Sequence, residues 1–101
     1  MNLSDNIVII IEKIERMAEC FYQQRKTVGY DYLNQILASL GQISESLLQC
    51  QNSGLDGYKL EFNQVLIRGM ESIKQQDSVL IADIFYHEMA GLLIDIRNTI
   101  Q

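Results

Sequence analysis

Apolar side chains recur at steps of three and four residues along four segments of the chain. In the first segment the repeating positions are Leu3, Ile7, Ile10, Ile14, Met17 and Phe21. This spacing places apolar side chains on one face of an α-helix, because successive residues advance by about 100° around its axis. The same repeat returns in three later segments. The pattern predicts helices over residues 4–25, 30–50, 56–75 and 77–100.

Glycine and short polar residues separate the predicted helices. Gly29 follows the first helix, and a turn cluster at residues 53–57 lies between the second and the third. Residues 74–76 form a short connection before Asp77, which we expect to cap the fourth helix. Helices joined by short connections pack as antiparallel neighbours. The sequence of 101 residues therefore predicts one all-α domain over residues 1–101, an antiparallel up-down-up-down four-helix bundle.

Several single positions on the helices carry further predictions. Ser4 or Asp5 is expected to cap the first helix. Leu48 and Met70 fall on the apolar repeats of the second and third helices, so we expect both in the core. Gly69 lies on the apolar side of the third helix, where it costs up to ~1 kcal/mol of helix propensity. We therefore expect a neighbouring helix to approach closely at Gly69.

Charge and hydropathy exclude two classes of partner. The net charge is -5 and the eight Lys and Arg residues are scattered, so the chain lacks the positive patch that nucleic acids require. The longest unbroken apolar run, residues 7–11, is far shorter than the roughly 20 residues that span a bilayer. It is also shorter than a signal-peptide core of about 7 residues. These features predict a cytoplasmic protein without nucleic-acid or membrane-spanning partners.

A few aliphatic residues lie outside the core repeats. They are Val8, Ile9, Leu80, Ile84 and Ile94. In a four-helix monomer these side chains would be in water, and contiguous apolar surface often marks a partner site. The alternative is that the apolar faces are broad and the bundle is slightly irregular. The first interpretation predicts a dimer face or a groove that receives a partner helix.

One cluster of polar residues suggests a metal site. Asp83 and His87 are four residues apart on one helix face, and Glu88 follows directly. His87 is the only histidine, whereas metal sites in helical bundles draw several ligands from different helices. Two polar residues at this spacing are more often an ordinary pair on a helix surface than ligands of a metal ion. A metal-binding or small-molecule-binding bundle that uses Asp83, His87 and Glu88 therefore remains the alternative hypothesis.

The sequence indicates no catalytic group. Cys20 falls on the polar side of the first helix and Cys50 at the end of the second, and neither has an evident base to activate it. We therefore expect two free thiols, no cofactor and no enzymatic activity.

The fourth segment resembles the closing helix of a group of small uncharacterised all-helical proteins from Gram-positive bacteria. Residues 77–89 read Asp-Ser-Val-Leu-Ile-Ala-Asp-Ile-Phe-Tyr-His-Glu-Met, and the matching positions are Asp77, Asp83, Tyr86 and Glu88. His87 departs from that pattern, which has an acidic or aromatic residue there. In size and helical architecture the group is similar to flagellar export chaperones. By this analogy the resemblance implies binding of a partner helix by a bacterial protein.

These observations predict a non-catalytic protein-interaction module. It would act as a homodimer or as a small chaperone or adaptor that receives an amphipathic segment of another protein.

Overall fold

The structure, a computed structural model, describes residues 2–100 and consists of four helices. The first three are α1 (Leu3–Tyr22), α2 (Lys26–Gln49) and α3 (Asp56–Lys74). The fourth, α4, runs through three consecutive pieces, Ser78–Asp83, Ile84–Met89 and Ala90–Ile100, of which the middle piece is π-helical. A single 3-10 turn, Ser53–Leu55, precedes α3. Because residues 2–100 contain no strand, the predicted all-α four-helix bundle is confirmed.

Helix α4 connects the two halves of the bundle. The most extensive backbone contacts join α1 to α2, α1 to α4, and α3 to α4, whereas α2 and α3 have no comparably extensive contact. The side chains of Ser4 and Arg97 meet at one end of the α1–α4 pair, and those of Tyr22 and Asp83 meet towards the other. Helices α1 and α4 are therefore antiparallel.

The interior is built from aliphatic and aromatic side chains of all four helices. Its largest fully buried members are Phe21, Phe62, Phe85, Ile7, Ile10, Ile14, Met17, Leu33, Ile36, Leu40, Ile43 and Leu47. The accessible surface of 5833 Å² is close to the ~5,800 Å² expected for a folded monomer of this mass. In the described part of the chain, no helix is long and apolar enough to cross a membrane.

Two glutamines make the turns inside the helical hairpins. Gln24, with φ 62°, follows α1, and Gln76, with φ 56°, follows α3. Both turns close with the same hydrogen bond, from the N–H of the next residue to a carbonyl five residues back. Because Gln24 reverses the chain, α1 ends at Tyr22 rather than at the predicted residue 25, and α2 starts at Lys26 rather than at residue 30.

The prediction that Gly29 breaks the chain between two helices is wrong. Gly29 is buried in the first turn of α2, where a Cβ atom would lie 2.6 Å from Cε1 of Phe21. The Phe21 ring packs edge-on against Tyr30, with ring centroids 5.0 Å apart. A side chain at position 29 would displace this ring. Gly29 therefore serves close packing between α1 and α2 rather than chain reversal.

The helix caps are partly as predicted. The Asp77 side chain accepts a hydrogen bond from the Leu80 N–H at 3.1 Å and caps α4, which confirms that prediction. At α1 the cap is Asn2, which accepts from the Asp5 N–H at 2.8 Å, instead of Ser4 or Asp5.

The π-helical piece of α4 follows from the spacing of its buried residues. The fully buried positions Ile81, Phe85, Met89, Leu93 and Ile96 are separated by steps of four, four, four and three. In a regular α-helix each step of four drifts by about 40° around the axis, so three in succession would turn the later residues away from the core. The N–H of Ala90 instead donates to the carbonyl of Phe85, five residues back, which accommodates one extra residue.

This insertion corrects one sequence prediction. Ile84 was expected to lie in water, but it is the first residue of the π-helical piece and is only 7% exposed. The wider turn brings Ile84 and Phe85 to the interior together.

Gly69 of α3 packs directly against the Phe85 ring of α4. A Cβ atom at Gly69 would lie 2.8 Å from Cζ of the Phe85 ring, which is fully buried. One turn further on, the buried Ser72 hydroxyl donates to the Gly69 carbonyl at 2.6 Å and so has its hydrogen bond inside α3. The expectation that Gly69 admits a close neighbouring helix is confirmed.

Substitution of Gly69 by alanine tests this contact. Gly69→Ala should lower the free energy of unfolding by about 1–3 kcal/mol, because the enclosed Phe85 ring must shift. Gly41→Ala is the matched control: Gly41 also lies inside a helix but has open space above it, so alanine should raise stability by up to ~1 kcal/mol. Urea unfolding of both variants provides the measurement. Equal effects of the same sign would contradict the close approach.

Candidate functional site

The five aliphatic residues predicted to bind a partner do not form one surface. Ile9 borders a depression between α1 and α2, whereas Ile94 borders one between α3 and α4. Val8 is 37% exposed on another side of α1, Leu80 is half-buried, and Ile84 is inside the core. A contiguous docking surface must therefore be sought elsewhere.

The most exposed aliphatic side chains lie on α2 and α3. Leu48 is 76%, Ile67 66% and Leu60 62% exposed, and Met70 on α3 is also exposed. The prediction that Leu48 and Met70 belong to the core is thus wrong. The core positions of α3, such as Phe62 and Gly69, already fill the space facing the interior, so Met70 is turned away from it.

Helix α3 carries a second repeat on its outer side. We call this the α3 outer face, and its residues are Asp56, Leu60, Asn63, Ile67, Met70 and Lys74. All six are exposed, and the steps between them are four, three, four, three and four. That is the heptad spacing by which one helix contacts another along its whole length. Sequence reasoning missed this face because Leu60 and Ile67, seven residues apart, lie among polar residues and off the main apolar repeat.

The structure does not gather Asp83, His87 and Glu88 around one point. Asp83 accepts a hydrogen bond from the Tyr22 hydroxyl of α1 at 2.5 Å, whereas Glu88 forms an ion pair with Arg68 of α3. The two carboxylates thus engage helices on different sides of α4. Within residues 2–100, no three His, Cys, Asp or Glu side chains are close enough to hold a metal ion.

Tyr22 has the clearest electrostatic perturbation. Partial desolvation of the Tyr22 side chain, together with the hydrogen bond to Asp83 and the negative charge there, raises the pKa of Tyr22 to about 12. The phenol therefore stays protonated at neutral pH and acts as a donor that ties α1 to α4. A general base requires a pKa near the working pH, so this pair has a structural role.

Both cysteines are free thiols, as expected. Cys20 is only 6% exposed, so its predicted position on the polar side of α1 is wrong. Cys50 is partly buried, and its carbonyl accepts a hydrogen bond from Lys59 at 2.8 Å. Enclosure of the Cys20 thiol gives it a packing role.

Comparison with known proteins places the chain in a family. A family model matches residues 2–99 and describes them as a domain of unknown function, DUF8042. The chain belongs to the DUF8042 family. No curated protein and no solved structure matches it. The resemblance of α4 to helical proteins of Gram-positive bacteria, and the analogy to flagellar export chaperones, stay predictions for this DUF8042 chain.

Removal of the charge on Asp83 tests the Tyr22 contact. Asp83→Asn should move the pKa of Tyr22 down from about 12 towards the ordinary value of 10, because the anion that opposes ionisation is gone. The raised pKa also means that the stability from this contact is present below pH 10 and is lost as the pH rises towards 12.

The measurement is phenolate absorbance during alkaline titration, with the Tyr22→Phe variant subtracted to isolate Tyr22. Asp95→Asn, an exposed carboxylate change on the same helix, serves as the control. Identical titration curves for Asp83→Asn and Asp95→Asn would contradict the proposed cause.

Proposed function

We propose that this DUF8042 domain is a non-catalytic protein-interaction module that binds another polypeptide through the α3 outer face. The observation that carries the proposal is the exposure of Leu60 and Ile67, which are more than three-fifths exposed on one side of a helix whose other side carries its buried residues. Full burial of such a side chain contributes roughly 1.5–3 kcal/mol. Covering both is therefore a substantial driving force for association.

The position of this face favours docking of a helix. Met70 continues the line set by Leu60 and Ile67, and Leu48 of α2 borders the same region beside Asn63. A partner helix lying along α3 would contact Leu60, Ile67 and Met70 on successive parts of the face, which is how an amphipathic helix binds a groove or a helical face. The chain would thus work as a small chaperone or adaptor, or through self-association.

The polar residues of the fourth helix support binding over catalysis. Asp83 and Glu88 each contact a neighbouring helix, through Tyr22 and Arg68, so both have roles in holding the bundle together. The metal-binding alternative stays a prediction, and the arrangement of these two carboxylates gives it no further support.

A charge placed among the apolar residues of the α3 outer face should weaken binding. Ile67→Glu is expected to weaken association at least tenfold, because a carboxylate would have to be desolvated at the contact. Ile94→Glu and Ile9→Glu are controls at exposed aliphatic positions outside this face. The measurements are sedimentation velocity and affinity capture from the native host, with circular dichroism to confirm helical content.

Wild type, Ile94→Glu and Ile9→Glu should behave alike, and Ile67→Glu should lose the interaction. If Ile67→Glu is indistinguishable from wild type while the Ile94 or Ile9 variant loses binding, the α3 outer face is not the binding surface.

A further inference from the structure

We propose that the α3 outer face pairs in antiparallel orientation with the same face of a second copy of this chain, which gives a two-fold symmetric dimer. The inference rests on the proposed function and names its partner. It is carried by the order of charged and apolar residues along α3.

The outer face is self-complementary about its midpoint at residue 65. When two copies are laid antiparallel, positions equally far from that midpoint face each other. Leu60 then meets Met70 of the second copy, and Asn63 meets Ile67. By two-fold symmetry each of these contacts occurs twice. In an antiparallel pair of helices with heptad spacing, such pairs of facing residues form successive layers along the contact.

The charges at the ends of the face select this orientation. Asp56, whose side chain is 73% exposed, faces Lys74 of the second copy at both ends of the pair. A parallel pairing would instead place Asp56 beside Asp56 and Lys74 beside Lys74. Like charges in contact oppose association, whereas opposite charges favour it and fix the register. The antiparallel arrangement is therefore the favoured one.

The flanking residues are compatible with the same register. On the two flanks of the contact line, antiparallel helices bring together residues of the same flank rather than residues equally far from residue 65. Lys59 then lies beside Ile73 of the second copy on one flank, and Glu71 lies beside Gly57 on the other, so no like charges face each other. A slip by one heptad would place Asp56 against Ile67 and bury its carboxylate among apolar side chains. The pairing about residue 65 avoids this cost.

The size of the contact predicts a dimer of moderate affinity. Helix α3 has 19 residues and is about 28 Å long at 1.5 Å per residue. A single pair of helices of that length lies near the low end of specific interfaces, about 1,200 Å² in total. Leu48 of α2, beside Asn63, widens the apolar area at its edge. We therefore expect a monomer–dimer equilibrium that depends on concentration.

Pairing requires no rearrangement of the bundle. The opposite side of α3 is already fixed to α4 by the contact of Gly69 with Phe85, and the six outer residues are exposed. Rigid docking of preformed faces is the ordinary case for such contacts.

Charge reversal at the two ends provides the test. Asp56→Lys brings cations together at both ends of a homodimer, and Lys74→Asp brings anions together. Each variant alone should raise the dimer dissociation constant at least tenfold at low ionic strength, where charge interactions are least screened. An equimolar mixture of the two variants should recover dimerisation, because every end contact again joins opposite charges. Sedimentation velocity over a concentration series is the measurement.

A double variant keeps the test independent of folding defects. The double variant has Asp56→Lys and Lys74→Asp in the same chain. It places a positive charge at the start of α3 and a negative charge at its end, both unfavourable for the helix dipole, but it restores opposite charges across the dimer contact. It should dimerise like wild type and better than either single variant. Circular dichroism monitors the helical content of all variants.

The outcomes separate this inference from the proposed function. A wild-type chain that stays monomeric up to millimolar concentration, or single variants and mixture that all dimerise like wild type, would overturn the self-pairing. If wild type is monomeric but captures a host protein that Ile67→Glu releases, the self-pairing fails and the proposed function stands. If Ile67→Glu alters neither self-association nor capture, both fail.

Discussion

The packing of the Phe85 ring against Gly69 is the contact on which the arrangement of the bundle depends. Helix α4 packs against both α1 and α3, whereas α2 and α3 have no comparably extensive contact. The absence of a side chain at Gly69 allows α3 to lie directly against the ring. This contact fixes which side of α3 faces inward, and so also fixes which side stays exposed. The α3 outer face is a consequence of how α4 is packed.

The π-helical piece brings the residues of α4 into position for this contact. One extra residue among the buried positions keeps Phe85, Met89 and Leu93 on the interior side. Polar contacts bracket the same region: Asp83, just before the piece, binds α1, and Glu88, inside it, pairs with α3. Residues that resembled metal ligands in the sequence thus connect α4 to its two neighbours. The insertion and the two contacts together make α4 the element that joins the hairpins.

The helices and their approximate limits could be predicted because apolar spacing is a local property of the chain. Gly29 was misplaced because glycine marks turns and close packing alike, and only the position of the Phe21 ring decides between them. Ile84 was misplaced because the apolar stripe of the fourth helix was laid out for a regular α-helix, and the π-helical piece places Ile84 on the buried side. The α3 outer face was missed because Leu60 and Ile67 form a repeat too sparse to stand out among polar neighbours. Exposure depends on which of two repeats the other helices cover, and that is a tertiary property.

Deletion of a single residue tests most directly whether the spacing of buried residues determines the geometry of α4. Without His87, an exposed residue, the steps between buried positions become four, three, four and three, which suit a regular α-helix. We expect this variant to unfold cooperatively, with a free energy of unfolding within about 2 kcal/mol of wild type. Deletion of the exposed Arg16 rotates the later half of regular α1 by about 100° and should remove most of the stability. Equal loss of stability in both deletion variants, measured by urea unfolding, would contradict the account.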